Sequence, residues 1–379
     1  MLQYLIMKIG IDTVGLNHGR SSMGLYLISV LSNLNVLNDD VQIELFGSEV
    51  DRYTFGNESN YTYKSFLSLE GSVFEKFWHK FSMPGFARRN QYDIVFYRVG
   101  INCYPFTGKV KGIAFVHEII SETLKELDNF SLRKNLIKSL KKATAIIVSS
   151  EYIKNDLISL GIKAEKIFVV YIGIDHEHFY HRSDITDDTV VVKPFAIKRP
   201  FLIYPSSVTD EKKNHVKLIK GFSEFKKKTN FPHRLVLAGS EGKGAKLARK
   251  AASNSEFMSD IFLTGYFPHQ NLSDLLSCSE ACIFPSKIEG VGLPVLEAMA
   301  SGIPVVCANA GALPEITAGN ALFFDPDKPE QISSCIERIL TDSELKEKLV
   351  ENGIERAKSF TWEKNIEQMR SVIHSIYES

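Results

Sequence analysis

Residues 283–315 read IFPSKIEGVGLPVLEAMASGIPVVCANAGALPE, and this stretch decides the fold. The apolar run 281–284 has the length and composition of a strand buried on both faces. A loop with Ser286, Glu289, Gly290 and Gly292 follows. Leu293 and Pro294 then open a short helix carrying Glu297 and Met299, since proline suits a first turn where no backbone N–H is missed. Gly302 stands where a helix ends on a left-handed residue, and 304–307 reads as the next buried strand. Strand, glycine-bearing loop, helix and strand make the repeating unit of a doubly wound α/β domain. The loop-to-helix junction offers free N–H groups and the positive end of a helix dipole, a seat for phosphate.

The same alternation extends outward in both directions. Upstream, strands are expected at 7–12, 41–46, 93–97, 112–116, 145–148 and 167–171, with helices at 23–34, 132–142 and 151–160. Residues 50–90 follow no clear period and are left unassigned. The segment 178–199, with its polar run HRSDITDD, reads as a linker. Beyond it, strands are expected at 201–204, 234–238, 261–263, 281–284, 305–307 and 321–324. Asn214 is expected to cap a helix running to Lys228, and the tail reads as three helices, 329–340, 343–358 and 361–377. A chain of 379 residues exceeds what one core organises, so two Rossmann-like domains are expected, 1–180 and 200–360.

Lysine plus arginine and aspartate plus glutamate balance at 45 each, which argues against a general nucleic-acid binder. The five cysteines, Cys103, Cys278, Cys282, Cys307 and Cys335, are odd in number and mostly lie in apolar runs, as buried free thiols do. No apolar run has the length of a membrane span, and MLQYLIMKIGID lacks the basic and long apolar regions of a signal peptide. A cytoplasmic protein is expected, with peripheral contact at the inner face of the plasma membrane left open.

Several residues stand where such a fold binds ligands. Glu289 in the loop and Glu297 one turn into the helix could line one pocket mouth; taken alone they read equally well as two solvated carboxylates. Lys213, after a buried strand, could place a point charge on phosphate or be a surface lysine. His117 follows another buried strand, where a lone histidine is commonly structural. Gly15 and Gly19 follow the first strand, where glycine lets backbone approach a ligand; Arg20 and Gly24 lie in the same run. Asp325-Pro326-Asp327 imitates a metal-binding D-x-D but reads as a turn and cap, and no His/Cys cluster has metal-ligand spacing. GVGLPV fails the dinucleotide fingerprint, having Val295 in place of the third glycine. Phe74, Phe77, Trp78, Phe81 and Phe86 mix with Lys76, Lys80, Arg88 and Arg89. They suit either a face that touches a bilayer or a patch packed on its own domain. Lys134, Lys138, Lys141 and Lys142 add basic character to the same half.

The run EGVGLPVLEAMASGIPVV resembles the E-x7-E signature of retaining glycosyltransferase family four, whose fold is GT-B: two Rossmann-like domains facing a central cleft. Val291 replaces the usual aromatic between the glycines. KIGIDTVGL at 8–16, VHE at 116–118, IFVVYIGIDHEHF at 167–179 and KKNHVKLIKGF at 212–222 extend the resemblance. So do LVLAGSEG at 235–242, LTGYFPHQNLSDLL at 263–276, ALPEITAGNALFFDP at 312–326 and ERAKSFTWEK at 355–364. The last two are most similar to a bacterial branch rich in mannosyltransferases of surface polysaccharides.

The resemblance implies that Glu289 holds the donor-sugar hydroxyls and Glu297 the ribose hydroxyls. Backbone at Gly290, Val291, Gly292 and Leu293 would touch sugar and diphosphate, His117 the donor sugar, and Gly265-Tyr266 the base. Gly15 and Gly19 would approach the diphosphate or the acceptor. Ser207 and Val208 stand where relatives often carry an arginine, and Lys212 is a substitute cation beside Lys213; Glu118 replaces the commoner aspartate. Residues from about 361 to 379 would return as a helix to the N-terminal domain. The implied reaction is metal-independent, retaining transfer of a hexose, mannose favoured, to a growing lipid-linked glycan. The nucleoside diphosphate sugar is the co-substrate, GDP-mannose favoured and a UDP-sugar allowed, with no other cofactor. A catalytically degenerate sugar-nucleotide-binding scaffold and a GT-B nucleotide-sugar epimerase are the alternatives.

Overall fold

The computed structural model describes residues 6–19, 21–34, 41–56, 60–66, 71–100, 106, 109–182, 188–192 and 195–379. Arg20, Cys103 and most of the HRSDITDD run lie outside these residues. The chain divides into two compact units: Met1–Gly173 with Trp362–Ser379, and Ile174–Thr361.

The first unit is built on a seven-stranded sheet of β1 (Met7–Asp12), β2 (Val41–Ser48), β3 (Tyr61–Phe66), β4 (Ile94–Arg98), β5 (Lys111–Val116), β6 (Ala145–Val148) and β7 (Ile167–Val169). The spatial order is β3-β2-β1-β4-β5-β6-β7, and every pairing is parallel. The inner strands β4, β5 and β6 are buried almost throughout, as a sheet covered on both sides requires, whereas the edge strand β3 alternates buried tyrosines with exposed Thr62 and Lys64. Ile9, Leu45, Ile94, Ile113 and Ile147 form the middle of a core that the tail helix Trp362–Glu378 completes with Met369, Val372, Ile373 and Ile376. Those four recur at helical spacing, so one face of the tail is buried; each such side chain contributes roughly 1.5–3 kcal/mol of transfer free energy. Lys111 Nζ donates to the carbonyls of Ile376 and Tyr377, a cation on the last turn of that helix.

Residues 50–90, unassigned from sequence, hold a short helix, β3, and then a continuous helical run from Ser72 to Arg89. Its middle, Trp78–Ser82, is a π-turn in which the Met83 N–H reaches back to Trp78 O. Pro84 immediately follows and lacks the N–H an α-helical ladder would use there. The extra residue shifts the helix phase, so no single 3.6 period describes the segment. Trp78 and Phe86 pack with Phe46, Phe66 and Tyr92, whereas Phe77 and Phe81 stay exposed and pair with each other, the Lys80 ammonium lying 4.8 Å from the Phe81 ring centre.

The second unit opens at Ile174 rather than near 200. The expected linker instead contains an antiparallel pair, β8 (Thr189–Val192) and β9 (Phe195–Lys198), in which Thr189 faces Lys198. A six-stranded parallel sheet follows: β10 (Phe201–Pro205), β11 (Arg234–Ala238), β12 (Ile261–Leu263), β13 (Ala281–Phe284), β14 (Val305–Ala308) and β15 (Leu322–Phe324). Its order is β12-β11-β10-β13-β14-β15. Chain direction across the sheet reverses between β10 and β13, and the loops leaving those two neighbours diverge around a crevice at their C-terminal ends. Cys282 and Cys307 are buried free thiols on β13 and β14.

Candidate active site

The two loops at this switch point carry the predicted cation and the first predicted carboxylate. After β10 the chain makes a tight turn, Glu211–Lys213, which Asp210 caps by accepting the N–H groups of Lys212 and Lys213 at 2.8 and 3.3 Å. Tyr204 donates its hydroxyl to Lys213 O at 2.8 Å, and the Lys287 N–H binds Lys212 O at 2.9 Å, so the β13 loop is tied to the β10 loop. Lys213 Nζ then reaches Glu289 Oε2 at 3.0 Å. Asn214 departs from expectation. It takes a left-handed φ of 62° and does not cap the His215–Thr229 helix. Its amide instead donates to Pro285 O at 3.1 Å and Pro326 O at 2.7 Å, stapling the loops after β13 and β15.

Glu289 is held from both sides. Its Oε1 accepts the Gly292 N–H at 3.4 Å, and its carbonyl accepts the Ala312 N–H at 2.8 Å. Gly311, which sequence reading missed, packs so closely that a Cβ would sit 2.3 Å from Glu289 O, and its φ of 60° also demands glycine. Gly292 is left-handed at φ 72°, and the Leu293–Ala300 helix begins there with no side-chain cap. The N-terminal positive end therefore opens beside the Lys213–Glu289 pair, as the phosphate-seat argument requires. Gly302 ends the helix at φ 73°, where a Cβ would meet the His181 ring.

Glu297, one turn into that helix, is only 2% exposed. Its Oε1 lies 3.2 Å from His269 Nε2, while its Oε2 is buried with no hydrogen-bond partner. The hydrogen bond to Glu297 holds the His269 imidazole above its ordinary pKa, against the opposing effect of burial. Gly265 adopts φ 69° and Tyr266 is exposed. The link from that segment to Glu297 runs through His269, which lies inside the run 263–276 but which the sequence reading did not single out. Lys212 is fixed through its backbone groups. Ser207 hydrogen-bonds Ser240 and Val208 bridges Glu241, so the positions of the absent arginine serve local structure. Asp325 accepts the Asp327 N–H at 2.9 Å, the turn expected of that run.

In the first unit the switch point lies between β1 and β4. The loop after β1 is strongly left-handed, with φ of 85° at Gly15, 53° at Asn17, 52° at His18 and 79° at Gly19. A Cβ on Gly15 would meet Glu75 Oε1 at 2.5 Å, and Glu75 pairs with Arg98 at 3.0 Å. At the root of the loop, buried Asp12 accepts from Val14 N, from Trp78 Nε1 and from His79 Nε2 at 3.0 Å. His117 follows β5 and stacks on Tyr26, 4.5 Å between ring centres, and on Phe115. Neither of its ring nitrogens has a hydrogen-bond partner, and burial pushes its pKa down to about 4, so the ring is neutral at pH 7.

Comparison with known proteins agrees with this layout. Residues 40–178 match the model described as Glycosyltransferase Family 4, and residues 188–356 match Glycosyl transferases group 1. O-antigen chain mannosyltransferase B of Escherichia coli is 25% identical over 94% of this chain and 97% of its own. An uncharacterized glycosyltransferase of Methanocaldococcus jannaschii is 31% identical over 64% of this chain and 65% of its own. Among solved structures, sucrose-phosphate synthase of Thermosynechococcus elongatus superposes with a TM-score of 0.77 at 18% identity, covering 98% of this chain and 99% of that one. HepE of Anabaena, in complex with UDP and glucose, gives 0.72 at 17% identity over 97% and 100%. With one glycosyltransferase model on most of each unit and the same architecture along nearly its whole length, the protein is a glycosyltransferase of the GT-B type.

Proposed function

We propose that the protein transfers a hexose, mannose in the first instance, from a nucleoside diphosphate sugar to a growing, lipid-linked surface glycan. Transfer proceeds with retention of configuration and without a metal ion. The observation that carries this reading is the Lys213–Glu289 pair at the open end of the Leu293–Ala300 helix, on the switch-point loops of the second unit. Lys213 and the helix dipole suit the departing diphosphate, whose charge grows as the glycosidic bond breaks. Glu289, once Lys213 turns to phosphate, is an acceptor for sugar hydroxyls. His117, in the first unit, is a further candidate sugar contact, since its neutral imidazole can donate or accept a hydrogen bond.

The mannose preference draws on similarity to the O-antigen chain mannosyltransferase and to serotype-specific mannosyltransferases of Escherichia coli. The nucleotide donor draws support from HepE, whose structures contain UDP and UDP-glucose. Among the described residues no helix is long and apolar enough to cross a membrane. Phe77 and Phe81 beside Lys80 favour peripheral contact with a bilayer carrying the acceptor.

A thermal-shift panel of GDP-, UDP- and ADP-sugars tests the donor, because a selective ligand stabilises the fold in proportion to occupancy. One donor class is expected to stand out, with GDP-mannose first. Hydrolysis and transfer assays with that donor should show turnover, and Glu289→Ala should lower it by about 100-fold or more. Tight donor binding with no turnover on any acceptor would replace the transferase reading with that of a binding scaffold.

A further inference from the structure

We infer that His269 is a positioning residue of the donor site: it fixes one oxygen of the Glu297 carboxylate so that the other faces the ribose hydroxyls of the bound nucleotide. The inference rests on the nucleotide-sugar reading above. A carboxylate turns easily about its terminal torsion, and its two oxygens are chemically equivalent until something distinguishes them. Here His269 Nε2, 3.2 Å from Oε1, does so. Oε2 remains buried and without a hydrogen-bond partner on a side chain that is 2% exposed. Buried polar atoms are nearly always satisfied, so an orphaned carboxylate oxygen beside a phosphate seat calls for a donor the protein does not supply. A sugar hydroxyl is such a donor.

His269 is well held for this task. It sits on the tight turn His269–Asn271, and its ring meets Phe179 edge-on at 5.7 Å. Its side chain is 65% exposed, so its proton exchanges with solvent. The charged groups acting on it are Glu297 and Asp175, and both favour the imidazolium. Cys282 of β13 also feels the Glu297 charge, and burial keeps its thiol protonated. Among the described residues, His269 is the titratable side chain paired with Glu297. As an imidazolium, His269 always presents an N–H to Oε1. Once neutral, it can turn a lone pair toward Oε1 and lose its grip.

Nucleotide affinity should consequently fall as pH rises through the His269 titration. The test is calorimetric binding of GDP, UDP or ADP, whichever the thermal-shift panel selects, to the full chain from pH 6 to pH 9. In the wild type the Kd is expected to rise roughly tenfold over that range. In His269→Gln, whose amide donates at every pH, it should stay flat, and in His269→Ala it should already be weak at pH 6. The 2′,3′-dideoxy nucleotide should bind wild type and His269→Ala alike, since it has no ribose hydroxyls to present. With the sugar donor, His269→Ala should raise KM and leave kcat unchanged. Equal or tighter binding of the normal nucleotide by His269→Ala at every pH would overturn the inference alone. So would an equal loss with the dideoxy form. Failure of the wild type to bind any nucleoside diphosphate would overturn the donor reading and this inference with it.

Discussion

Lys213 and Glu289 neutralise each other across 3.0 Å, and both side chains keep partial contact with water, 28% and 14% exposed. Such a pair is weak, so an incoming diphosphate can displace the carboxylate from the ammonium at little cost. Replacing either partner should therefore separate binding from transfer. Lys213→Ala is expected to weaken nucleoside diphosphate binding by roughly tenfold or more, while the affinity for the bare nucleoside changes little. Glu289→Gln frees Lys213, so nucleoside diphosphate should bind as tightly as in the wild type or tighter while transfer falls. Paired titrations of diphosphate and nucleoside, with turnover measured alongside, check both. The positions of Lys213 and Glu289 after their strands, and of Glu297 one turn into the helix, were legible because glycine, proline and apolar runs mark the ends of those elements. The contacts that hold them were not. Gly311 supports Glu289 through backbone proximity, and His269, though inside the run 263–276, reaches Glu297 across a turn, so no spacing pairs either residue with its carboxylate.

Elements with one regular period were read to within a few residues, and those that break period were not. The helical run from Ser72 to Arg89 changes phase at its π-turn, so its apolar residues never align on one stripe in the sequence. The pair β8 and β9 was hidden by the charged residues that flank it. What anchors the π-turn is also invisible in sequence: His79 faces the Glu75 carbonyl through Nδ1 at 2.9 Å and the Asp12 carboxylate through Nε2 at 3.0 Å. The ring is thus held between a backbone carbonyl and a buried carboxylate. Asp12 also takes the Trp78 indole N–H, which draws the π-turn onto the end of β1. Asp12→Ala should destabilise the protein by about 3–5 kcal/mol, since it strands a buried ring and an indole N–H together. A urea titration checks this; a change below about 1 kcal/mol would remove Asp12 as the anchor.

Across the molecule, buried histidines couple the fold to pH. Burial lowers the pKa of His117, His215 and His233 to about 4 each, with nearby lysines adding to the effect at the last two. The unfolded chain takes up these protons near its ordinary value of 6.5, while the folded chain resists until about pH 4. Unfolding therefore binds protons in that window, and stability is greatest above it and declines as pH falls through it. Between pH 7 and pH 5 the expected loss is about 1–2 kcal/mol per histidine. Urea midpoints measured across that range should fall with pH, and replacing His233 by a neutral isostere should flatten the decline.

The tail helix carries a consequence for how the protein is made. The first unit draws its core from segments on either side of the second, and Met369, Val372, Ile373 and Ile376 are synthesised after the whole of that second unit. During translation the second unit, complete by Thr361, emerges with all of its strands before the first can close. Translation thus reverses the order in which the units begin. A polypeptide cut short before Trp362 would carry a finished second unit and a first unit with an open apolar groove. Cellular proteases and chaperones are built to notice that defect, so the helix Trp362–Glu378 reports that synthesis has passed the second unit and the first has closed.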